Sequence, residues 1–499
     1  MSFLGIDIGT SACKALVLSP EGQVLADCSA EYGILQPKPG WTEQDPACWI
    51  EAVRHAINGI VQQFPAEGIQ AIGLSGQMHG LTPIDADGQT IRPAILWNDQ
   101  RNGSEALKVE DLAGGTEAML ELTGNRMLIG YTGGKILWMR KHEPMLFARV
   151  AHALNPKDYL RLVMTGEYAT EVSDASGTGL FDVRRRCWAD ELIDRLDFDR
   201  SILPICHESD IVSGTVSRQG ARLFGLIAGT PVIGGAGDAV AQTLGSGVAR
   251  PGTLQTTIGT AGIAACALQS PAENPGARLQ VFCNAAPNLW HCMGVSMNAG
   301  GALAWLRSTL DPHASYDAMT RAAGEVPAGA GGLIFLPYLN GERCPHPDPL
   351  ARGAFVGLTA RHDQRHMIRA VLESAVYSLF DMYQIMQKMG QQGDLVITSG
   401  GGSQSQLWRQ IQAGLFDCPV VTAEGAAEGG AFGAALLAGI SQKAWNHVEE
   451  AAQCCHELTR DDPIPADVGI YRQTYQIYTR LYGSLSDHFH ALTELEQGH

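Results

Sequence analysis

The chain reads as an α/β protein of two domains. Its 499 residues exceed the roughly 250–300 that one hydrophobic core usually supports. Its opening alternates strands with a helix and returns to a strand, the order of α/β folds. The turn that opens the chain is also echoed half a chain later, as duplicated architectures do.

Residues 3–8, Phe3-Leu4-Gly5-Ile6-Asp7-Ile8, form a strand pattern, and Gly9-Thr10-Ser11 a tight turn. Ala15-Leu16-Val17-Leu18 is a second strand. Pro20-Glu21-Gly22 turns the chain into Val24-Leu25-Ala26, completing a meander. Between residues 46 and 64, Trp49, Ile50, Val53, Ile57, Ile60 and Val61 fall at helical spacing. Residues 69–74 return to a strand. The echo is Thr257-Ile258-Gly259-Thr260-Ala261, which repeats the setting of Asp7-Ile8-Gly9-Thr10-Ser11 between two apolar strands. It puts a boundary near Gly245-Ser246-Gly247, with domains 1–246 and 247–499. Later elements are a strand at 395–398 running into Ser399-Gly400-Gly401-Gly402, a helix through Leu407, Ile411 and Leu415, and a strand at 419–421. A Gly/Ala-rich helix at 430–437 and an amphipathic terminal helix at 471–492 follow.

Composition excludes several classes of function. Hydrophobic residues make up 45% and charged residues 17%, which suits a folded chain. A formal charge of −17 disfavours nucleic acid and anionic membrane as partners. No apolar run is long enough to span a bilayer, and the N-terminus lacks a signal-peptide pattern, so a cytoplasmic location is expected. The 12 cysteines show no CxxC spacing and are expected to be reduced thiols.

Two Gly-Thr turns can aim backbone N–H groups and hydroxyls at phosphate, or serve as ordinary hairpin turns. Asp7, beside the first, either caps its turn or faces a Mg²⁺ next to phosphate. Asp238 follows the strand and glycine turn of Val232-Ile233-Gly234-Gly235-Ala236-Gly237. It is an N-cap, or a base placed where α/β folds bind ligands. Gly76-Gln77-Met78-His79-Gly80 and Ile95-Leu96-Trp97-Asn98-Asp99-Gln100-Arg101 offer hydrogen-bonding groups suited to a polyol, or structural loops. No Walker P-loop is present.

These residues resemble the FGGY carbohydrate kinases, a family that includes glycerol, gluconate and xylulose kinases. Asp7-Ile8-Gly9-Thr10-Ser11 with Lys14 looks like its first phosphate motif. Gly130-Tyr131-Thr132-Gly133-Gly134-Lys135-Ile136-Leu137-Trp138-Met139-Arg140-Lys141-His142 is similar to one signature. Gly353-Ala354-Phe355-Val356-Gly357-Leu358, with His366-Met367 and Ala370-Val371-Leu372-Glu373, resembles the other. Trp41-Thr42-Glu43-Gln44-Asp45-Pro46, Pro156-Lys157-Asp158-Tyr159 and Ser173-Asp174-Ala175-Ser176-Gly177-Thr178 are similar to members acting on xylulose. Ala239 departs from them, since Asn usually follows the catalytic Asp there.

The resemblance implies two actin-like (ribonuclease H-like) domains around a cleft, with sugar on the first and ATP on the second. It implies Asp238 as general base and Asp7 as the Mg²⁺ residue, acting through water. It places Met78, His79, Asn98 and Asp99 on the sugar. Thr10, Ser11, Lys14, Gly259, Thr260, Gly300, Gly401 and Ser405 would hold ATP. The expected reaction is phosphorylation of a ketose, D-xylulose at its 5-hydroxyl. The alternatives are another ketose or a polyol, such as a ribulose-like sugar, and a non-catalytic actin-like ATP-binding protein. A homodimer is also compatible with the resemblance.

Overall fold

Asp45 starts the first long helix by accepting a hydrogen bond from the Ala47 N–H at 3.0 Å, and Pro46 fits the first helical position without loss of a bond. The computed structural model describes residues 1–271, 274–426 and 428–497. In chain order the elements used below are β1 (Ser2–Ile8), β2 (Ala12–Leu18), β3 (Val24–Glu31), α1 (Pro46–Gln63), β4 (Ile69–Gly76), α2 (Thr132–His142), α3 (Pro156–Thr165) and α4 (Val172–Ser176). Next come β5 (Val212–Thr215), β6 (Pro231–Ile233), β7 (Ala236–Gly237), α5 (Asp238–Gly245), β8 (Thr253–Ile258) and β9 (Gly262–Leu268). The second half continues with β10 (Gln280–Cys283), β11 (Trp290–Ser296), α6 (Gly300–Leu310), α7 (Gln364–Lys388) and β12 (Leu395–Ser399). It ends with α8 (Gln406–Phe416), β13 (Val420–Ala423), α9 (Gly430–Ser441), β14 (Glu457–Asp461) and α10 (Pro465–Gln497).

The strands build two seven-stranded sheets. The first runs β5-β6-β4-β1-β2-β3, with β7 paired to β4. The second runs β10-β11-β9-β8-β12-β13-β14. Within them, β3-β2-β1-β4-β6 and β11-β9-β8-β12-β13 share order and direction. Each has two antiparallel links followed by two parallel ones. The echo of Ile-Gly-Thr is therefore a duplicated fold, and the architecture is the two-domain actin-like α/β plan. α1 buries Trp49, Val53, Ile57 and Ile60 on the first sheet, where truncating one aliphatic side chain typically costs about 2–5 kcal/mol.

One helix crosses between the halves. α9 belongs by position to the second half but lies on β1 and β4 of the first sheet. The approach is so close that only glycine fits beneath it. A Cβ on Gly5 would stand 1.9 Å from the Ala431 carbonyl oxygen, and one on Gly73 1.9 Å from that of Ala434. α9 also packs against α5. All twelve cysteines are free thiols. Among the described residues no helix is long and apolar enough to cross a membrane.

Candidate active site

The glycine turn after β6 lets β7 pair with β4 at Ser75 and Gly76, and α5 begins at once with Asp238. The N-cap is Gly237, so the Asp238 carboxylate is not spent on capping. Its Oδ1 accepts from the adjacent Ala239 N–H, at 2.8 Å. The Gly237 N–H donates to Ser173 Oγ at 2.9 Å, and Ser173 Oγ donates to Glu171 Oε1 at 2.9 Å. Below lies a buried ion cluster. Lys157 Nζ sits 2.7 Å from Asp158 Oδ1 and 3.4 Å from Asp174 Oδ2, and Arg161 donates to the Gly234 carbonyl at 2.7 Å. The Pro156–Asp158 and Ser173–Asp174 motifs thus brace the turn that presents Asp238. Burial, reinforced by the neighbouring charge of Asp7, raises the Asp238 carboxyl from 3.8 to about 7, against the pull of the Ala239 and Met78 amides.

Asp7 stands opposite Lys14 across the β1–β2 pair. Its Oδ1 is buried with no hydrogen-bond partner among the described residues. Burial raises its pKa, with Ser75 and Lys14 acting the other way. The first residue of α9, Gly430, closes against it. A Cβ there would come 2.8 Å from Asp7 Oδ1.

His79 adopts a left-handed backbone, φ 68°, uncommon for a residue with a side chain and frequent at functional sites. Its Nδ1 is 2.6 Å from the Gly177 carbonyl, which can only accept, so Nδ1 carries the proton and Nε2 keeps a lone pair. Burial lowers its pKa to about 3, so the ring is neutral. Lys135 on α2 holds the loop: its Nζ donates to the carbonyls of His79 at 2.7 Å and Gly130 at 2.5 Å.

Met78, His79, Asp238 and Ala239 line one cavity of about 270 Å³, joined by Trp97 and Arg343. Asn98 and Asp99 are not on its wall. Asp99 is fully buried, its Oδ2 taken by the Thr42 N–H at 2.5 Å and its carboxylate paired with Arg101 at 2.7 Å. Glu43 joins that scaffold through Arg92 and Arg101. Trp97 reaches the cavity instead, and its Nε1 donates to Thr10 Oγ1 at 3.0 Å, tying the first Gly-Thr turn to the cavity rim. In that turn Ser11 is exposed, while Thr10 and Lys14 are half-buried.

Gly259, Thr260, Gly300, Gly401 and Ser405 line a second cavity, of about 580 Å³. The Gly300 N–H donates to the Gly259 carbonyl at 2.8 Å, and a Cβ on Gly300 would lie 2.6 Å from that oxygen. Ser405 caps α8, accepting from the Trp408 N–H at 3.3 Å. The two cavities meet at one hairpin turn. Gly259 and Thr260 face the larger, and Ala261 faces the smaller.

Residues 2–245 match the family model for the N-terminal domain of the FGGY family of carbohydrate kinases, and residues 254–442 match that for the C-terminal domain. This chain belongs to the FGGY carbohydrate kinases. Its reaction class is therefore phosphoryl transfer from ATP to a carbohydrate. The chain is 34% identical over 487 residues to a xylulose kinase of Bacillus subtilis, covering 97% of each. The crystal structure of xylulose kinase from Rhodospirillum rubrum superposes with a TM-score of 0.92 at 30% identity, covering 98% of this chain and 100% of that one. A gluconate kinase structure from Lactobacillus acidophilus scores 0.91 at 27% identity, covering 97% of this chain and 98% of that one. Backbone similarity at this level identifies a sugar kinase without separating one sugar from another.

Sequence reasoning did not single out Trp97, Lys135 or Arg343. Lys135 lies within the Gly130–His142 signature, but the sequence does not show that its ammonium is buried and holds the His79 loop. Arg343 carried no local signal.

Proposed function

We propose that this chain phosphorylates D-xylulose on its 5-hydroxyl, with ATP as donor. One observation carries the reading. A single turn, residues 259–261, separates a large glycine-lined cavity from a small one that holds a carboxylate with pKa near 7. The sugar identity is supported by the xylulose kinases of comparable length and about one-third identity.

In this reading the sugar lies mainly on residues 1–246 and ATP mainly on residues 247–499. Met78 packs on the carbon chain, and His79 Nε2 accepts from a sugar hydroxyl. Asp238 takes the proton of the attacking hydroxyl, for which a pKa near the working pH is well matched. Thr10, Ser11, Lys14, Gly259 and Thr260 flank the transferring phosphoryl, while Gly300, Gly401 and Ser405 hold the remainder of the nucleotide. Phosphoryl transfer asks the protein mainly to position and to stabilise charge.

Magnesium fits the residues present. Asp7 offers a buried carboxylate oxygen without a partner. Among the described residues no group of three or more His, Cys, Asp or Glu could hold a metal alone. Mg²⁺ commonly binds in this way, through one or two carboxylates, water and substrate phosphates. When bound, it would neutralise phosphate charge; Asp7 would hold it through water. A cytoplasmic setting and self-association as a homodimer belong to the same reading.

The test is ADP release measured across pentuloses, hexuloses and polyols. D-xylulose is expected to give the highest kcat/KM. Another ketose more than tenfold better would overturn the choice of sugar.

A further inference from the structure

The wall of the smaller cavity carries two charged side chains, Asp238 and Arg343, and they come from opposite halves of the chain. Arg343 sits on a pinned loop. Glu342 Oε1 accepts from the Met297 N–H at 2.9 Å and the Arg343 N–H at 2.6 Å. Farther along, Asp348 Oδ2 accepts from the Tyr482 hydroxyl at 2.8 Å and lies 2.9 Å from His490 Nε2. Arg343 is exposed, and its guanidinium makes no ion pair among the described residues. Its charge is felt by His79 and Tyr131 on the cavity wall and by Glu342 and Cys344 beside it in the loop. The cavity wall thus carries an anionic group from the first half of the chain and a cationic group from the second.

This matters for a ketose, and the step that follows rests on the function proposed above. A 2-ketopentose closes its five-membered ring through the 5-hydroxyl. A sugar phosphorylated there must bind as the open chain, with C2 a free ketone. With the 5-hydroxyl at Asp238, C2 lies three carbon–carbon bonds along the chain, and Arg343 is the other charged group on the cavity wall that can meet it. We propose that Arg343 donates a hydrogen bond to the C2 carbonyl oxygen, so that it selects the acyclic ketose over the corresponding polyol. Guanidinium N–H groups suit a carbonyl acceptor and present no acceptor of their own to a hydroxyl. The contact would also couple sugar binding to the approach of the two halves.

The test compares D-xylulose with xylitol and D-arabinitol, in which C2 is an alcohol, using the full chain and its R343M and R343K variants. Kinetic constants come from ADP release and affinities from calorimetric titration. A charge-assisted hydrogen bond is worth roughly 10–100-fold in affinity. R343M is expected to lower the ketose-to-polyol ratio of kcat/KM by about that factor, mostly through KM. R343K keeps the charge without the fork and should fall between. An equal loss on ketose and polyol, or a loss confined to kcat, would overturn the assignment and place Arg343 on the phosphoryl group or in the fold. If R343M does not fold, an unchanged ratio in R343K overturns it instead. If the wild type prefers another ketose, the choice of sugar falls while Arg343 is tested on that ketose and its polyol. A wild type inactive on every ketose overturns both.

Discussion

Asp238→Asn removes the expected proton acceptor with almost no change in shape. General-base catalysis is usually worth about 10²–10⁴-fold, so kcat should drop by that factor while both substrates still bind. The structure adds a sharper expectation for the unmodified enzyme. An ordinary aspartate, with a pKa near 3.9, would stay ionised down to about pH 5. Burial and the Asp7 charge raise Asp238 to about 7, so protonation should set in near neutrality. About half of the sites would be in the base form at pH 7, and about one in eleven at pH 6. The acid limb of kcat/KM for the ketose should therefore fall about tenfold per pH unit below pH 7. Asp238→Asn should abolish that limb along with most of the rate. Asp7→Asn, by removing a negative neighbour, should shift the limb to lower pH. The assay is initial-rate ADP release from pH 5 to pH 9, with circular dichroism to confirm folding. An acid limb centred near pH 4, or a folded Asp238→Asn protein with near-normal kcat, would refute the reasoning.

Two further outcomes are expected. Asp7→Ala should lower kcat strongly and raise the Mg²⁺ concentration that gives half-maximal rate, because the unpartnered Asp7 Oδ1 is the oxygen offered to the ion; a Mg²⁺ titration identical to wild type would contradict this. Ala239→Asn adds an amide to the cavity wall, and one new hydrogen bond to a sugar hydroxyl is worth about 0.5–1.5 kcal/mol. Its kcat/KM for D-xylulose should be maintained or rise by about 2–10-fold, and a clear fall would show a pocket shaped for another sugar.

Local patterns in the sequence carried much of the fold. Alternation marked the opening meander, helical spacing marked α1, and the glycine turn before Asp238 marked a strand-to-helix junction. Each of these depends on neighbours in the chain. Long-range partners were not legible. Nothing near Asn98 and Asp99 shows that the Thr42 N–H, 57 residues earlier, takes up Asp99 while Trp97 turns to the cavity. Nothing near Arg343 shows that His79 and Tyr131, more than two hundred residues earlier, lie within reach of its charge. The glycines at 5 and 73 read as ordinary strand residues until a helix from beyond residue 429 is seen lying on them.

That helix means the two halves cannot be separated like beads on a string. A fragment ending near residue 246 would expose a bare groove over Gly5 and Gly73. The complementary fragment would carry an orphan helix, buried from Gly430 to Gly439 in the intact chain and left without a bed. The two similar halves thus form a clasp and not a tandem. The strands of the first sheet are all made by residue 237, but the helix that covers Gly5 and Gly73 follows only at residues 430–441, so native stability is held in common by the two halves and unfolding of either should undo the other.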